Sequence, residues 1–303
     1  MKILNFGSLN IDKVYQVEHF VRPGETLSSQ SLDFFCGGKG LNQTIAMARA
    51  GASVFHAGCI GTDGDMLSEA LSREHVDISY LKKLDIPTGH AIIQVSGSGQ
   101  NCILLFGGAN QSVSPEQIEE TLSHFEKGDI LLLQNEINEL PFLIDQAYQK
   151  GMQIYLNPSP ITSQLQEISL EKVSFLILNE IEAADLCKME LAKKEVNIPG
   201  TPQECAELLH KRYPNLQILL TMGTEGSLFL SASLRHYQKA YKVTAIDTTA
   251  AGDTFTGYFI AAAARGASIE AAMKEASKAS AIAVTRAGAS PSIPLRFELA
   301  ETE

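Results

Sequence analysis

Apolar residues fall into two kinds of stretch along this chain. Residues 2–7 (KILNFG), 53–59 (SVFHAGC), 130–134 (ILLLQ), 153–157 (QIYLN), 175–179 (FLILN) and 217–221 (QILLT) are short apolar runs, mostly continuous rather than alternating. Such runs suit strands covered on both faces. Between them, helical spacing of apolar residues runs over 40–50, 65–74, 115–125, 139–150, 180–188 and 202–212, and two more helices are expected at 252–265 and 268–286. Ser114-Pro115-Glu116-Gln117 is a helix start, with a capping Ser, Pro at the first helical position and an acid in the first turn. The alternation predicts an α/β fold: a doubly wound, mainly parallel sheet flanked by helices, with right-handed crossovers.

Two segments break the rhythm. Residues 11–36 alternate and carry a turn signal at Arg22-Pro23-Gly24-Glu25, and 88–107 reads as a hairpin, HAIIQV and NCILLF joined by Ser96-Gly97-Ser98-Gly99. Four short strands from these two insertions predict a small separate β-sheet, a lid over the main body or a dimer interface.

The 303 residues carry a formal charge of −11, with 45% hydrophobic and 19% charged residues. That balance argues against nucleic acid or an anionic membrane as partner, since phosphate contacts need clustered Lys and Arg. The five cysteines, Cys36, Cys59, Cys102, Cys187 and Cys205, are scattered and form no CxxC; they read as thiols in a reducing compartment. The apolar run after Met1 is too short for a signal peptide, and no stretch approaches a membrane span. A cytoplasmic location is the expectation.

In open α/β sheets, ligands bind beyond the carboxyl ends of the strands. Polar residues follow the predicted strands here: Ser8 to Asp12, Asn135-Glu136, Asn157-Pro158, Asn179 to Glu182 and Met222 to Gly226. The stretch DTTAAGDTF (247–255) stands out. Ala250-Ala251-Gly252 leaves the backbone bare where a helix begins, and its first-turn amides suit a phosphate. Asp253 in that turn is either a helix cap or a general base beside an anion hole. Capping alone does not require the small residues before it. Gly37-Gly38-Lys39-Gly40-Leu41-Asn42-Gln43 also opens a helix, yet no Ser or Thr follows Lys39, so it is not a P-loop. It is a flexible turn or a wall against a polyhydroxylated ligand. On the second reading, Asn10 and Asp12 would add an amide and a carboxylate, a pairing suited to adjacent sugar hydroxyls.

These stretches together resemble the PfkB carbohydrate kinase family, in its ribokinase-like branch, over nearly the whole length. The carrying residues are GSLNID (7–12), PGET (23–26), GGKGLNQ (37–43), GANQSVSP (108–115), NE (135–136), LNPSP (156–160), NEIE (179–182), TMGTEG (221–226), DTTAAGDTFTG (247–257) and AVTRAGASPSIP (283–294).

The resemblance implies one ribokinase-like α/β domain over 1–303. It implies that Asp253 is the base that deprotonates the attacking sugar hydroxyl, with Ala250, Ala251 and Gly252 as the anion hole. Asn10, Asp12, Gly38, Lys39, Asn42 and Glu136 would hold the sugar. Asn179, Thr221, Gly223, Gly226 and Gly252 would lie along ATP, with Glu182 in the Mg²⁺ network. An activating K⁺ would be held by Asp247 and Ser292 side chains and by the carbonyls of Thr249, Ala283, Arg286 and Gly288. Ser277 stands where many relatives place Asn or His against the purine. The lid strands imply a homodimer.

The expected function is ATP-dependent phosphorylation of a pentose, D-ribose foremost, with deoxyribose, fructose or a nucleoside as alternatives. A non-catalytic sugar sensor would be expected to lack the base or the anion hole. A dinucleotide oxidoreductase would need a GxGxxG after the first strand, where the chain has Gly7-Ser8-Leu9-Asn10. The segment 188–200 is read as a solvated charged loop.

Overall fold

The structure, a computed structural model, describes residues 1–191 and 200–300. Its strands are β1 (Ile3–Phe6), β2 (Asn10–Val17), β3 (Ser31–Gly37), β4 (Val54–Ile60), β5 (Asp77–Lys83), β6 (Gly89–Ser96), β7 (Asn101–Phe106), β8 (Ile130–Gln134), β9 (Gln153–Asn157), β10 (Phe175–Asn179), β11 (Gln217–Thr221), β12 (Ser227–Leu230) and β13 (Arg235–Gln238). The α-helices are α1 (Lys39–Arg49), α2 (Asp65–Arg73), α3 (Pro115–Ser123), α4 (Leu140–Lys150), α5 (Glu180–Leu191), α6 (Pro202–Arg212), α7 (Ala251–Ala264) and α8 (Ile269–Ala283).

Nine strands form the main sheet in the order β13-β12-β11-β10-β9-β8-β1-β4-β5. It is parallel from β11 to β5 and antiparallel only at β11-β12-β13. The continuous apolar runs have a direct cause. Alternate residues of one strand enter two different cores: Leu4, Leu131, Leu156, Leu176 and Ile218 pack on one face, and Ile3, Leu132, Tyr155, Ile177 and Leu219 on the other. The second core also takes Ile45 and Met47 of α1, Phe259 of α7 and Met273 of α8. Tyr155 stacks on Phe175 with centroids 4.2 Å apart in this layer. Emptying such a site, as in Leu132→Ala, costs about 2–5 kcal/mol.

The two insertions do form a separate four-stranded sheet, β3-β2-β6-β7. The amide of Glu25 donates to the Arg22 carbonyl at 3.0 Å, closing the expected turn, and the hairpin closes with the Gly99 amide on the Ser96 carbonyl at 2.8 Å. Ser114 caps α3 by accepting from the Gln117 amide at 3.2 Å.

Several boundaries differ from the sequence reading. The strands β5, β12 and β13 were not anticipated. β5 and β13 are sheet edges of mixed or polar composition (DISYLKK and RHYQ), and β12 is only four residues long. Of the segment read as a charged loop, 188–191 continue α5 and 192–199 lie outside the described residues. The last helix ends at Ala283, short of 286, and the next carbonyl, that of Val284, turns to accept the amides of Ile246 at 2.7 Å and Asp247 at 3.2 Å.

Candidate active site

The carboxyl ends of the parallel strands and the start of α7 enclose a pocket of about 220 Å³. Ala250 precedes α7 in the left-handed conformation, φ 59°, a geometry costing a non-glycine residue roughly 1 kcal/mol. The helix then starts abruptly: Ala251 donates to the Thr248 carbonyl at 3.2 Å and Thr254 to the Ala250 carbonyl at 2.8 Å. The amides of Gly252 and Asp253 have no partner among the described residues. A Cβ added at Gly252 would meet no protein atom within 4 Å, so packing within the chain does not demand glycine there. The space it leaves belongs to the pocket.

Asp253 lines this pocket and does not cap its own helix through its side chain. Its carboxylate accepts from Asn42 Nδ2 at 3.2 Å on Oδ2 and from Gln43 Nε2 at 2.9 Å on Oδ1. Asn42 is buried, and its Oδ1 has no partner among the described residues.

Next to Asp253, the entry to α1 is built by close backbone approach. Gly38, φ 95°, turns the chain into the helix. A Cβ on Gly40 would lie 2.4 Å from the Ser8 nitrogen, so only glycine lets α1 meet the loop after β1. Glu136, just beyond β8, accepts from the Ser8 hydroxyl and, at 3.1 Å, from the Lys39 amide. Burial raises its pKa, against the lowering pull of Lys39 and Ser8. Asp12 on β2 is pushed up to about 6, first by burial and then by the charge of Glu136. Burial alone would pull the Lys39 ammonium down, but the carboxylates of Asp253, Glu136 and Glu182 prevail and raise it. Asn10 Oδ1 accepts from Asn110 Nδ2 at 2.8 Å, and Asn110 also clasps the Leu9 backbone through both ends of its amide.

On the opposite wall are Asn179, Glu182 and Thr221. Asn179 and Glu182 form a reciprocal cap on α5: Asn179 Oδ1 accepts from the Glu182 amide at 2.9 Å, and Glu182 Oε2 accepts from the Asn179 amide at 3.0 Å. Gly223 faces open space, while a Cβ at Gly226 would lie 2.1 Å from the Gln238 carbonyl oxygen, which gives that glycine a packing reason of its own. Ser277 is buried within α8.

Of the residues expected to hold a monovalent cation, Asp247, Thr249 and Gly288 are joined by hydrogen bonds. Asp247 Oδ1 accepts from the Thr249 amide and hydroxyl at 2.9 and 2.6 Å, and Oδ2 accepts from the Gly288 amide at 2.9 Å. Burial pushes the Asp247 carboxyl up, but these bonds outweigh it and hold its pKa below the usual range. Ser292 is fully buried and donates to the Ala289 carbonyl at 2.8 Å. The Ala283 carbonyl accepts from the Arg286 amide at 3.0 Å.

Sequence reasoning did not single out Ser8, Gln43, Asn110, Gln134 or Asn157 as individual site residues, although these polar groups position the others. Their signal was present: Gln134 and Asn157 end runs that are otherwise largely apolar, and the remaining three lie inside quoted motifs.

A mainly parallel α/β sheet with a second small sheet, and an acid at an open helix start with carboxylates beside it, fit the class of carbohydrate kinases. Residues 1–296 match the profile of the pfkB family of carbohydrate kinases, and the chain belongs to that family. It is 34% identical over 300 residues to the ribokinase of Haemophilus influenzae, covering 97% of this chain and 96% of that one. It is 30% identical over 299 residues to the deoxyribokinase of Salmonella typhi, covering 97% and 96%. Among solved structures, the ribokinase of Cryptococcus neoformans in complex with ADP superposes with a TM-score of 0.89 at 35% identity, covering 100% of this chain and 99% of that one. Arabidopsis thaliana ribokinase complexed with ribose and ATP gives 0.85 at 27% identity, covering 99% and 97%. Among the described residues, no helix is long and apolar enough to cross a membrane.

Proposed function

We propose that this carbohydrate kinase transfers the γ-phosphoryl group of ATP to the primary hydroxyl of a pentose, D-ribose foremost, giving ribose 5-phosphate in the cytoplasm. One observation carries the reading. The Asp253 carboxylate faces the pocket beside two unpartnered amides at the start of α7, where a base and a phosphate receptor are needed together.

Asp253 takes the proton from the sugar hydroxyl. That oxygen forms the new bond to phosphorus as the bond to the ADP oxygen breaks, and the Gly252 and Asp253 amides receive the charge on the moving group. Ala250 and Ala251 set the geometry of this turn. Asn10, Asp12, Gly38, Asn42 and Glu136 line the sugar side, and the free Oδ1 of Asn42 is an acceptor for a sugar hydroxyl. Lys39, whose ammonium lies among three carboxylates, supplies positive charge between sugar and phosphate. Asn179, Thr221, Gly223 and Gly226 run along the nucleotide.

The residues present fit Mg²⁺ and K⁺. Glu182 spends Oε2 on its cap, which leaves Oε1 to face the pocket as a hard oxygen donor for Mg²⁺ or its waters. Mg²⁺ there would neutralise phosphate charge. Asp247, the buried Ser292 hydroxyl and the carbonyls of Thr249, Ala283, Arg286 and Gly288 are an all-oxygen set suited to K⁺, which would order the turn ahead of the anion hole. The exposed apolar strand β7 supports pairing of two copies through their lids.

The likeness to a deoxyribokinase favours 2-deoxyribose as the second candidate substrate. Coupled ADP release with ATP, Mg²⁺, K⁺ and a panel of pentoses, hexoses and nucleosides tests the reading; D-ribose should give the highest kcat/KM. Asp253→Asn should keep sugar and ATP binding while kcat falls about 10²–10⁴-fold. Near-full turnover by that variant removes the base assignment.

A further inference from the structure

Beneath the pocket, four buried amide side chains form a chain of hydrogen bonds. Asn5 is 0% exposed, Gln134 0%, Gln43 1% and Asn157 8%. Asn5 Nδ2 donates to the Gly40 carbonyl at 2.8 Å, so Asn5 Oδ1 must face the other way. There it accepts from Gln134 Nε2 at 3.1 Å, and the same nitrogen donates to Gln43 Oε1 at 2.7 Å. At the far end, Asn157 Nδ2 donates to the Ile177 carbonyl at 2.9 Å, which turns Asn157 Oδ1 toward Gln43 Nε2 at 3.2 Å.

Backbone carbonyls only accept. The carbonyls of Gly40 and Ile177 therefore fix which end of each amide is nitrogen, from both sides of the chain. Gln43 has one orientation left: its NH₂ group faces Asp253 Oδ1 at 2.9 Å. Rotating it by half a turn would set its oxygen against both Asp253 Oδ1 and Asn157 Oδ1, three acceptors together, and would break its bond with Gln134. A buried Gln without these neighbours could present either end.

We propose that Gln43 is a positioning residue for phosphoryl transfer. Its donor, locked by Asn5, Gln134 and Asn157, holds Asp253 Oδ1, so that Oδ2 is the oxygen presented with Asn42 to the sugar hydroxyl. This rests on Asp253 being the base. A glutamine used only for packing would not need its amide orientation dictated from two separate strands. Here β1 and β8 fix one end, and β9, held by β10, fixes the other.

The test is a double-mutant cycle on the full chain: Gln43→Met, Asp253→Asn and the pair, with kcat, KM for the best sugar and for ATP, and thermal midpoint measured for each. In the wild-type background, Gln43→Met should lower kcat about 10- to 100-fold, the loss of a hydrogen bond to a charged group, with both KM values within about threefold. In the Asp253→Asn background the same change should lower kcat by less than about twofold, because the residue it acts through is gone. Equal losses in both backgrounds, or wild-type kcat in folded Gln43→Met, overturn the proposal while leaving the base in place. Full turnover by Asp253→Asn overturns both. Gln43→Glu keeps the shape and guards against a misfolded Met variant. It sets a second carboxyl on Oδ1 and should move the acid limb of the kcat–pH profile upward; an unmoved limb overturns the proposal.

Discussion

Glu182 and Asn179 hold each other's backbone amides across the first turn of α5, at 3.0 and 2.9 Å. The pair expected to serve Mg²⁺ is therefore also the cap of a helix. Two roles on one carboxylate can be separated, because a cap needs an acceptor whereas a cation site needs charge. Glu182→Gln should keep the thermal midpoint while raising the Mg²⁺ concentration needed for half-maximal rate. Glu182→Ala should lose stability as well, by about 0.5–2 kcal/mol. Calorimetry and a Mg²⁺ titration on both variants check this.

Gly252 opposes stability and activity in one atom. A Cβ there touches nothing in the protein and improves helix propensity, so Gly252→Ala should be neutral or stabilising by up to about 1 kcal/mol. It also intrudes on the space over the unpartnered amides. kcat/KM for ATP should fall at least tenfold, roughly 1.4 kcal/mol in the transition state. Unchanged kinetics would show that the phosphate lies elsewhere.

Asp12 makes two pH predictions. Its folded pKa, about 6, is above the ordinary 3.8. The folded state thus keeps a proton that the unfolded chain releases. Stability from this group is greatest below pH 4 and declines as pH rises through 6, then levels. The thermal midpoint of Asp12→Asn relative to wild type should therefore climb between pH 4 and 6 and hold steady above. If Asp12 accepts from the sugar as proposed, its ionised carboxylate does so, and KM for the sugar should rise as pH falls below 6 in the wild type and lose that limb in the variant.

The Asp247 turn predicts cation dependence. Replacing K⁺ by Na⁺, or Asp247→Ala, should lower kcat/KM for ATP roughly 5- to 150-fold while leaving sugar affinity nearly unchanged. In the variant, K⁺ and Na⁺ should become equivalent in steady-state assays.

Strand β7 is exposed along its whole length, including Leu104 at 66% and Phe106 at 50%. An edge strand this apolar is expected to be covered. The wild type should sediment as a dimer and Leu104→Asp as a monomer.

The main sheet was legible because each inner strand feeds two cores, so its apolar residues run on with few polar interruptions, Asn5, His56 and Gln134 among them. β13 was not, since RHYQ at a sheet edge buries little and has the composition of a loop. At the site, Asp253 and the bare Ala250-Ala251-Gly252 turn could be read from residue type alone. Gln43 could not: its role depends on which end of its amide faces Asp253, and that is decided by Gly40 and Ile177, far apart in the chain. The three-residue spacing of Asn179 and Glu182 suits a helix cap as well as a Mg²⁺ and phosphate site, and residue type alone does not separate the two.

Asn10 and Asp12 belong to β2, a strand of the small sheet, whereas Asp253 belongs to a helix on the large one. A molecule that engages all three is a rivet between the two sheets. Turnover then demands that the rivet be undone each cycle, so an analogue that grips β2 too firmly would jam the enzyme with its product still aboard.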